Sequence, residues 1–245
     1  MKWAPIHKLR ERYPRLWTFV AGRFAPGEYL GLHLTVGLAI SLASLWLFLS
    51  LTEDVIHHDA ITNFDLAALD WIRAHRTPAG YIVARSISAI GDPRVIVSVG
   101  LIGVVILAAR ARWLFVEGWV IALIGGEALN QFLKRLIHRP RPLQSSILSS
   151  QSWSFPSGHA MVSLIAYGML AYVLVVLGSW SFRRRVDIAL GATLVILLIG
   201  WSRIYLGVHY VSDVIGGYVA GSIWLAACIS GMEVARRWSV LSEKP

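Results

Sequence analysis

The sequence predicts an all-α, polytopic membrane protein: a bundle of six transmembrane helices with an interfacial helical segment between the first two. Three observations carry this expectation. Of the 245 residues 56% are hydrophobic and 15% charged, with a mean hydropathy of +0.60, whereas soluble domains run at about 45–50% apolar and roughly 25% charged. Apolar stretches near the ~20 residues needed to cross a hydrocarbon core recur along the chain. Lysine and arginine collect in alternate loops between those stretches.

The first span is expected at Leu32–Leu51, free of charge. The second, Pro93–Ala109, is short and follows the break Gly91-Asp92-Pro93, in which Asp92 and Pro93 form a helix-start signal. Trp113–Leu133 carries Glu117 and Glu127; Ala160–Phe182, Val186–Trp201 and Val214–Met232 complete the set. Between spans one and two, Thr52–Ile90 alternates Phe64, Leu66, Leu69, Trp71 and Ile72 with Asp65, Asp70, Arg73 and Arg76, the pattern of one or two helices at a membrane surface. The expected organisation is a basic cytoplasmic segment 1–31, a membrane domain 32–235 and a cytoplasmic tail 236–245. Residues 1–31 do not resemble a cleavable signal, whose apolar core of about 7–15 residues would come sooner, and are expected to be retained. The single cysteine, Cys228, can form no disulfide within the chain and reads as a small buried hydrophobe.

The net charge of +9 would point to nucleic acid in a soluble protein. Here most of it is topology signal, and no nucleic-acid partner is expected. With six spans, the groups before span one, at Arg110 and Arg112, at Arg183–Arg185, and at Arg236, Arg237 and Lys244 fall on one side, which the positive-inside rule makes cytoplasmic. Lys134, Arg135, Arg139, Arg141 and Arg203 fall on the other side, against that bias. Binding an anionic group is the physical reason for such a placement.

Three segments share that outer face. Lys134 and Arg141 offer a point charge and a planar fork of donors, the two standard ways to hold phosphate oxygens. Pro140 and Pro142 stop the preceding helix. Ser157-Gly158-His159 opens a helix, whose free N–H groups suit an anion. His209 and Asp213 are four apart and share a helix face. The carboxylate can take the Nδ1 proton and leave Nε2 free to attack, with His159 available as general acid. The cations supply the electrostatic stabilisation, so no metal and no other cofactor is expected. Two imidazoles needed in opposite protonation states give a bell-shaped pH dependence.

The spacing Lys134-x6-Arg141-Pro142, the run Pro156-Ser157-Gly158-His159 and the pattern Ser202-Arg203-x5-His209 resemble the three signature motifs of the type 2 phosphatidic acid phosphatase superfamily, with no departure at these positions. The resemblance implies a metal-independent phosphatase with a phosphohistidine intermediate. It implies His209 as nucleophile, Asp213 as its orienting partner and His159 as general acid and later base, with Lys134, Arg141, Ser157, Gly158 and Arg203 holding the phosphate. The implied partners are the bilayer and a lipid phosphate of the phosphatidic acid, phosphatidylglycerol phosphate, lipid A phosphate or polyprenyl diphosphate type. The implied setting is a bacterial inner membrane with inorganic phosphate released at the extracytoplasmic face. A lipid-to-lipid phosphotransferase, a vanadate-dependent haloperoxidase and a non-catalytic lipid-binding or transport protein are the rivals.

Other residues read as structural. Arg135 and Arg139 are expected at the surface or on lipid headgroups, and the histidines outside positions 159 and 209 are expected to be structural. Glu127, Asn130 and Lys134 share a helix face, where Glu127 either holds Lys134 or makes a hydrogen bond of its own. The eleven tryptophans suit interface anchoring, and Trp153 and Phe155 are candidates for lining the substrate entrance.

Overall fold

The computed structural model describes residues 29–57, 59–142 and 153–242, and these residues form helices only. They are α1 Tyr29–His57, α2 Ala60–His75, α3 Pro78–Ile90, α4 Pro93–Ala109, α5 Trp113–Ile137, α6 Gly158–Leu177, α7 Phe182–Tyr205 and α8 Val211–Ser242. Most of the basic segment 1–31 lies outside the described residues, while α8 continues past position 235 to Ser242.

Helix boundaries follow local chemistry. Thr77 accepts the Gly80 N–H at 3.1 Å and Pro78 occupies the first turn of α3. Asp92 accepts the Arg94 N–H at 2.9 Å and Pro93 opens α4, so the helix-start reading of that pair holds. α5 stops at His138, whose φ of 54° breaks the helix while its N–H still reaches the Lys134 carbonyl at 3.2 Å. Gly207, with φ of +71°, turns the chain between α7 and α8, a backbone conformation that glycine adopts without penalty.

Among the described residues, six helical stretches are long and apolar enough to cross a membrane. One differs from expectation: the second runs Pro78–Ala109, joining α3 to α4 across the Gly91-Asp92 break. The segment 52–90 is therefore not wholly interfacial by composition. Residues 52–57 end α1, α2 and α3 are both amphipathic, and α3 extends the short second span.

α8 is the hub of the bundle and packs on α1, α5 and α6. The core lies between these helices, with Trp119, Met161, Ile165 and Met169 almost fully buried and Cys228 half-buried at its edge. Large apolar side chains such as Trp46, Leu101 and Leu190 face outward, as a lipid-exposed surface requires. At the other extreme the α6 N-terminus seats directly on α8: a β-carbon at Gly217 would lie 2.7 Å from the Ser157 carbonyl oxygen. Only glycine admits that approach, and it sets the second motif against the third.

Candidate active site

At one end of the bundle the last turn of α5, the approach to α6 and the α7–α8 turn converge. Asp213, in the first turn of α8, is fully buried at their centre. Its Oδ2 accepts the Tyr210 N–H at 2.9 Å and the Ser154 hydroxyl, and lies 3.3 Å from His209 Nδ1. Its Oδ1 accepts from Arg139 Nη1 at 2.6 Å. The Asp213 backbone carbonyl accepts the Ser157 N–H at 2.9 Å, tying the α6 entrance to the same residue.

His209 is 2% exposed. Burial pushes its imidazole pKa down to about 4; Asp213 opposes that shift, and Arg141 and Arg203 add to it. The ring is therefore neutral at pH 7. With the Nδ1 proton directed to Asp213, Nε2 presents its lone pair 3.4 Å from Arg141 Nη1, which also donates to the Val208 carbonyl at 3.1 Å.

The remaining predicted residues close around this imidazole. A β-carbon at Gly158 would lie 2.9 Å from Asn130 Oδ1 and 3.6 Å from Lys134 Nζ, so the helix N-terminus and the lysine are near neighbours. His159, at the start of α6, is within electrostatic reach of Arg203, His209, Lys134 and Arg141. Arg203 is buried and donates to the Ser88 hydroxyl of α3. The Arg203 Nε and the Ser157 hydroxyl are buried and meet no protein partner among the described residues. Lys134, Arg141, Ser157, Gly158, His159, Arg203, His209 and Asp213 thus share one end of the molecule. Cations and a helix N-terminus around a buried imidazole are groups that can hold a tetrahedral oxyanion and present a ring nitrogen to it. Among the described residues, no three His, Cys, Asp or Glu side chains gather as a metal site.

Several expectations change. Arg139 is not a surface residue: it is 7% exposed and bridges Asp213 to Asp65, its Nη2 lying 2.8 Å from Asp65 Oδ2. Asp65, on α2, is buried in turn and accepts the Ser212 N–H at 3.0 Å and the Ser212 hydroxyl, so it caps the start of α8. Sequence reasoning missed Asp65, Arg139, Ser154 and Ser212. A signal for Asp65 existed, since positions 61, 65, 69 and 72 form one helical stripe in which the other three are Ile, Leu and Ile. Phe155 lines no entrance; it is fully buried against the Phe48 ring. Trp153 is half-exposed and meets the His138 ring edge-on at 4.7 Å. Glu127 makes a hydrogen bond of its own with Gln131, and Asn130 is the buried neighbour of the lysine.

Fold and site together define a polytopic membrane phosphatase. Residues 115–237 match the model of the PAP2 superfamily. Phosphatidylglycerophosphatase B of Bacillus subtilis (strain 168) is 32% identical over 181 residues, covering 73% of this chain and 88% of that protein. The crystal structure of a transmembrane PAP2-type phosphatidylglycerolphosphate phosphatase from Bacillus subtilis is similar with a TM-score of 0.73 at 28% identity, over 79% of this chain and 96% of that one. Aquifex aeolicus LpxE shares the fold with a TM-score of 0.52 at 22% identity, over 67% of this chain and 93% of that one. The chain belongs to the PAP2 superfamily.

Proposed function

We propose that this enzyme hydrolyses a lipid monophosphate or diphosphate by way of a phosphohistidine. The observation that carries the reading is the setting of His209: Nδ1 faces Asp213 at 3.3 Å while Nε2 faces the Arg141 guanidinium at 3.4 Å. Lys134, Arg141, Ser157, Gly158 and Arg203 hold the phosphate oxygens. The His209 Nε2 lone pair forms the P–N bond as the P–O bond to the leaving group breaks, and His159 gives that oxygen its proton. Water then attacks phosphorus and His159 takes its proton; the P–N bond breaks and inorganic phosphate leaves.

The substrate is of the phosphatidic acid, phosphatidylglycerol phosphate or polyprenyl diphosphate type, and the name of the Bacillus relative favours the second. The basic groups at Arg110 and Arg112, at Arg183–Arg185 and at Arg236 and Arg237 flank the opposite ends of the spans, which by the positive-inside rule supports an extracytoplasmic site in a bacterial inner membrane. The cations make a metal unnecessary, so chelator should leave phosphate release unchanged.

His209→Ala should reduce turnover by at least about 10³-fold while the protein stays folded. Brief exposure to radiolabelled lipid phosphate should leave acid-labile label on the wild type and none on this variant. Wild-type rates in His209→Ala would remove the nucleophile assignment.

A further inference from the structure

Beside Lys134 and His159 opens a cavity of about 470 Å³ that runs along α5 between α4 and α6. Its outer part is hydrocarbon, walled by Ile96 and Val97 of α4 and by Leu123 and Ile124 of α5. Continuity with the cationic site makes the lipid portion of the substrate its occupant: the head among the cations, the chain along the apolar wall.

Polar side chains interrupt that wall. Gln131 and Glu127 both line the cavity, and the Gln131 amide donates to Glu127 Oε1 at 2.6 Å. At a helical rise of ~1.5 Å per residue, Gln131 stands ~4.5 Å and Glu127 ~10 Å from Lys134 along α5. Polar groups within a span ordinarily turn to the bundle interior or line a polar pathway. These two are exposed on the cavity side. A side-chain amide has two N–H donors, and the bond to Glu127 uses one of them. Asn130, on the same wall and 1% exposed, carries a carbonyl oxygen that no protein group among the described residues satisfies. The wall next to the phosphate site is therefore built to meet hydrogen-bonding atoms, and hydrocarbon begins beyond it.

Building on the phosphatase reading above, we propose that Gln131, oriented by Glu127, is a specificity-determining residue. It donates a hydrogen bond to an acceptor oxygen on the glycerol side of the scissile phosphate. In a phosphatidate that oxygen is the carbonyl of the ester on the carbon next to the phosphorylated one. In a phosphatidylglycerol phosphate it belongs to the phosphodiester. A polyprenyl phosphate offers only alkene and methylene carbons there, which would bury the amide N–H without a partner.

The test compares the full chain and its Gln131→Leu variant in detergent micelles. It measures phosphate release from dioleoyl phosphatidate, the corresponding dialkyl ether, phosphatidylglycerol phosphate and farnesyl phosphate. Leucine at this exposed position is compatible with the fold, and Glu127→Leu serves as a second variant that leaves the amide in place without its orienting partner. For Gln131→Leu, kcat/KM should fall about 3- to 10-fold on a glycerolipid phosphate and should not fall on farnesyl phosphate, where the amide has no acceptor to lose. A loss on the diester lipid that is absent on its ether assigns the ester carbonyl as acceptor; a loss on phosphatidylglycerol phosphate alone assigns the phosphodiester. Equal losses on all four substrates, or no loss on either diacyl lipid, would overturn the proposal. Failure of the phosphatase reading looks different: the wild type would release phosphate from none of the four.

Discussion

Arg139 and Arg141 stand two residues apart in one loop, carry the same side chain, and meet opposite surroundings. Arg139 is buried with a carboxylate on each side, Asp213 at 2.6 Å and Asp65 at 2.8 Å, and its guanidinium lies 4.3 Å from the centre of the Tyr210 ring. Arg141 is half-buried and meets the Val208 carbonyl and His209 Nε2. The first cation is matched by protein anions and holds a carboxylate still. The second is directed at the atom proposed to attack phosphorus. Position in the loop does not distinguish the two arginines; the groups each one touches do, carboxylates for Arg139 and a carbonyl and an imidazole for Arg141.

That comparison can be broken by showing the two arginines equivalent. The largest effect on stability is expected for Arg139→Met, which strands two buried carboxylates and should cost about 3–5 kcal/mol in unfolding experiments. Arg141→Ala should leave unfolding within about 1 kcal/mol of wild type but lower kcat about 10²- to 10³-fold, the loss of one group that stabilises transition-state charge. If Arg141→Ala proved the less stable of the two, the division of roles would be wrong. Asp65→Asn tests the far end of the bridge. The amide keeps the shape and removes the charge, so a cost of about 1.5–3 kcal/mol is expected, with activity falling only as far as Asp213 is loosened. The smallest effect concerns His209 itself. Burial lowers its pKa to about 4 from the ordinary imidazole value, so the neutral form should persist as pH falls from 7 to 5. Nitrogen NMR of labelled histidine would check this; a midpoint near the usual ~6.5 would show the ring to be better solvated than its burial implies.

The parts of the site legible in the sequence were those written in contiguous residues. Lys134 and Arg141, the Pro156–His159 run, and the His209–Asp213 pair each sit within a few turns of one another. Their chemistry depends on local spacing, and the order of spans brings them to one end. Arg139 was misread because a cation at a span end looks the same whether it meets water, a headgroup or a buried acid. Phe155 was misread for a related reason: proximity in sequence to the second motif said nothing about the Phe48 ring from α1 that covers it. The second span was read too short because the Gly91-Asp92-Pro93 break is a true helix boundary, while the apolar character continues through α3 on the other side of it.

By itself the sequence determined the helical class, the six apolar stretches and the three motif loops, because hydropathy, charge bias and motif spacing are properties of neighbouring residues. Only the tertiary structure decided which acid answers which base. Arg139 lies 74 residues from Asp65 on one side and 74 from Asp213 on the other, and on α2 Asp65 differs from Asp70 by lying on the apolar stripe. A charge removed from water must find its counter-charge on whatever surface packs over it, and here that surface exists only once α2 has docked on the start of α8.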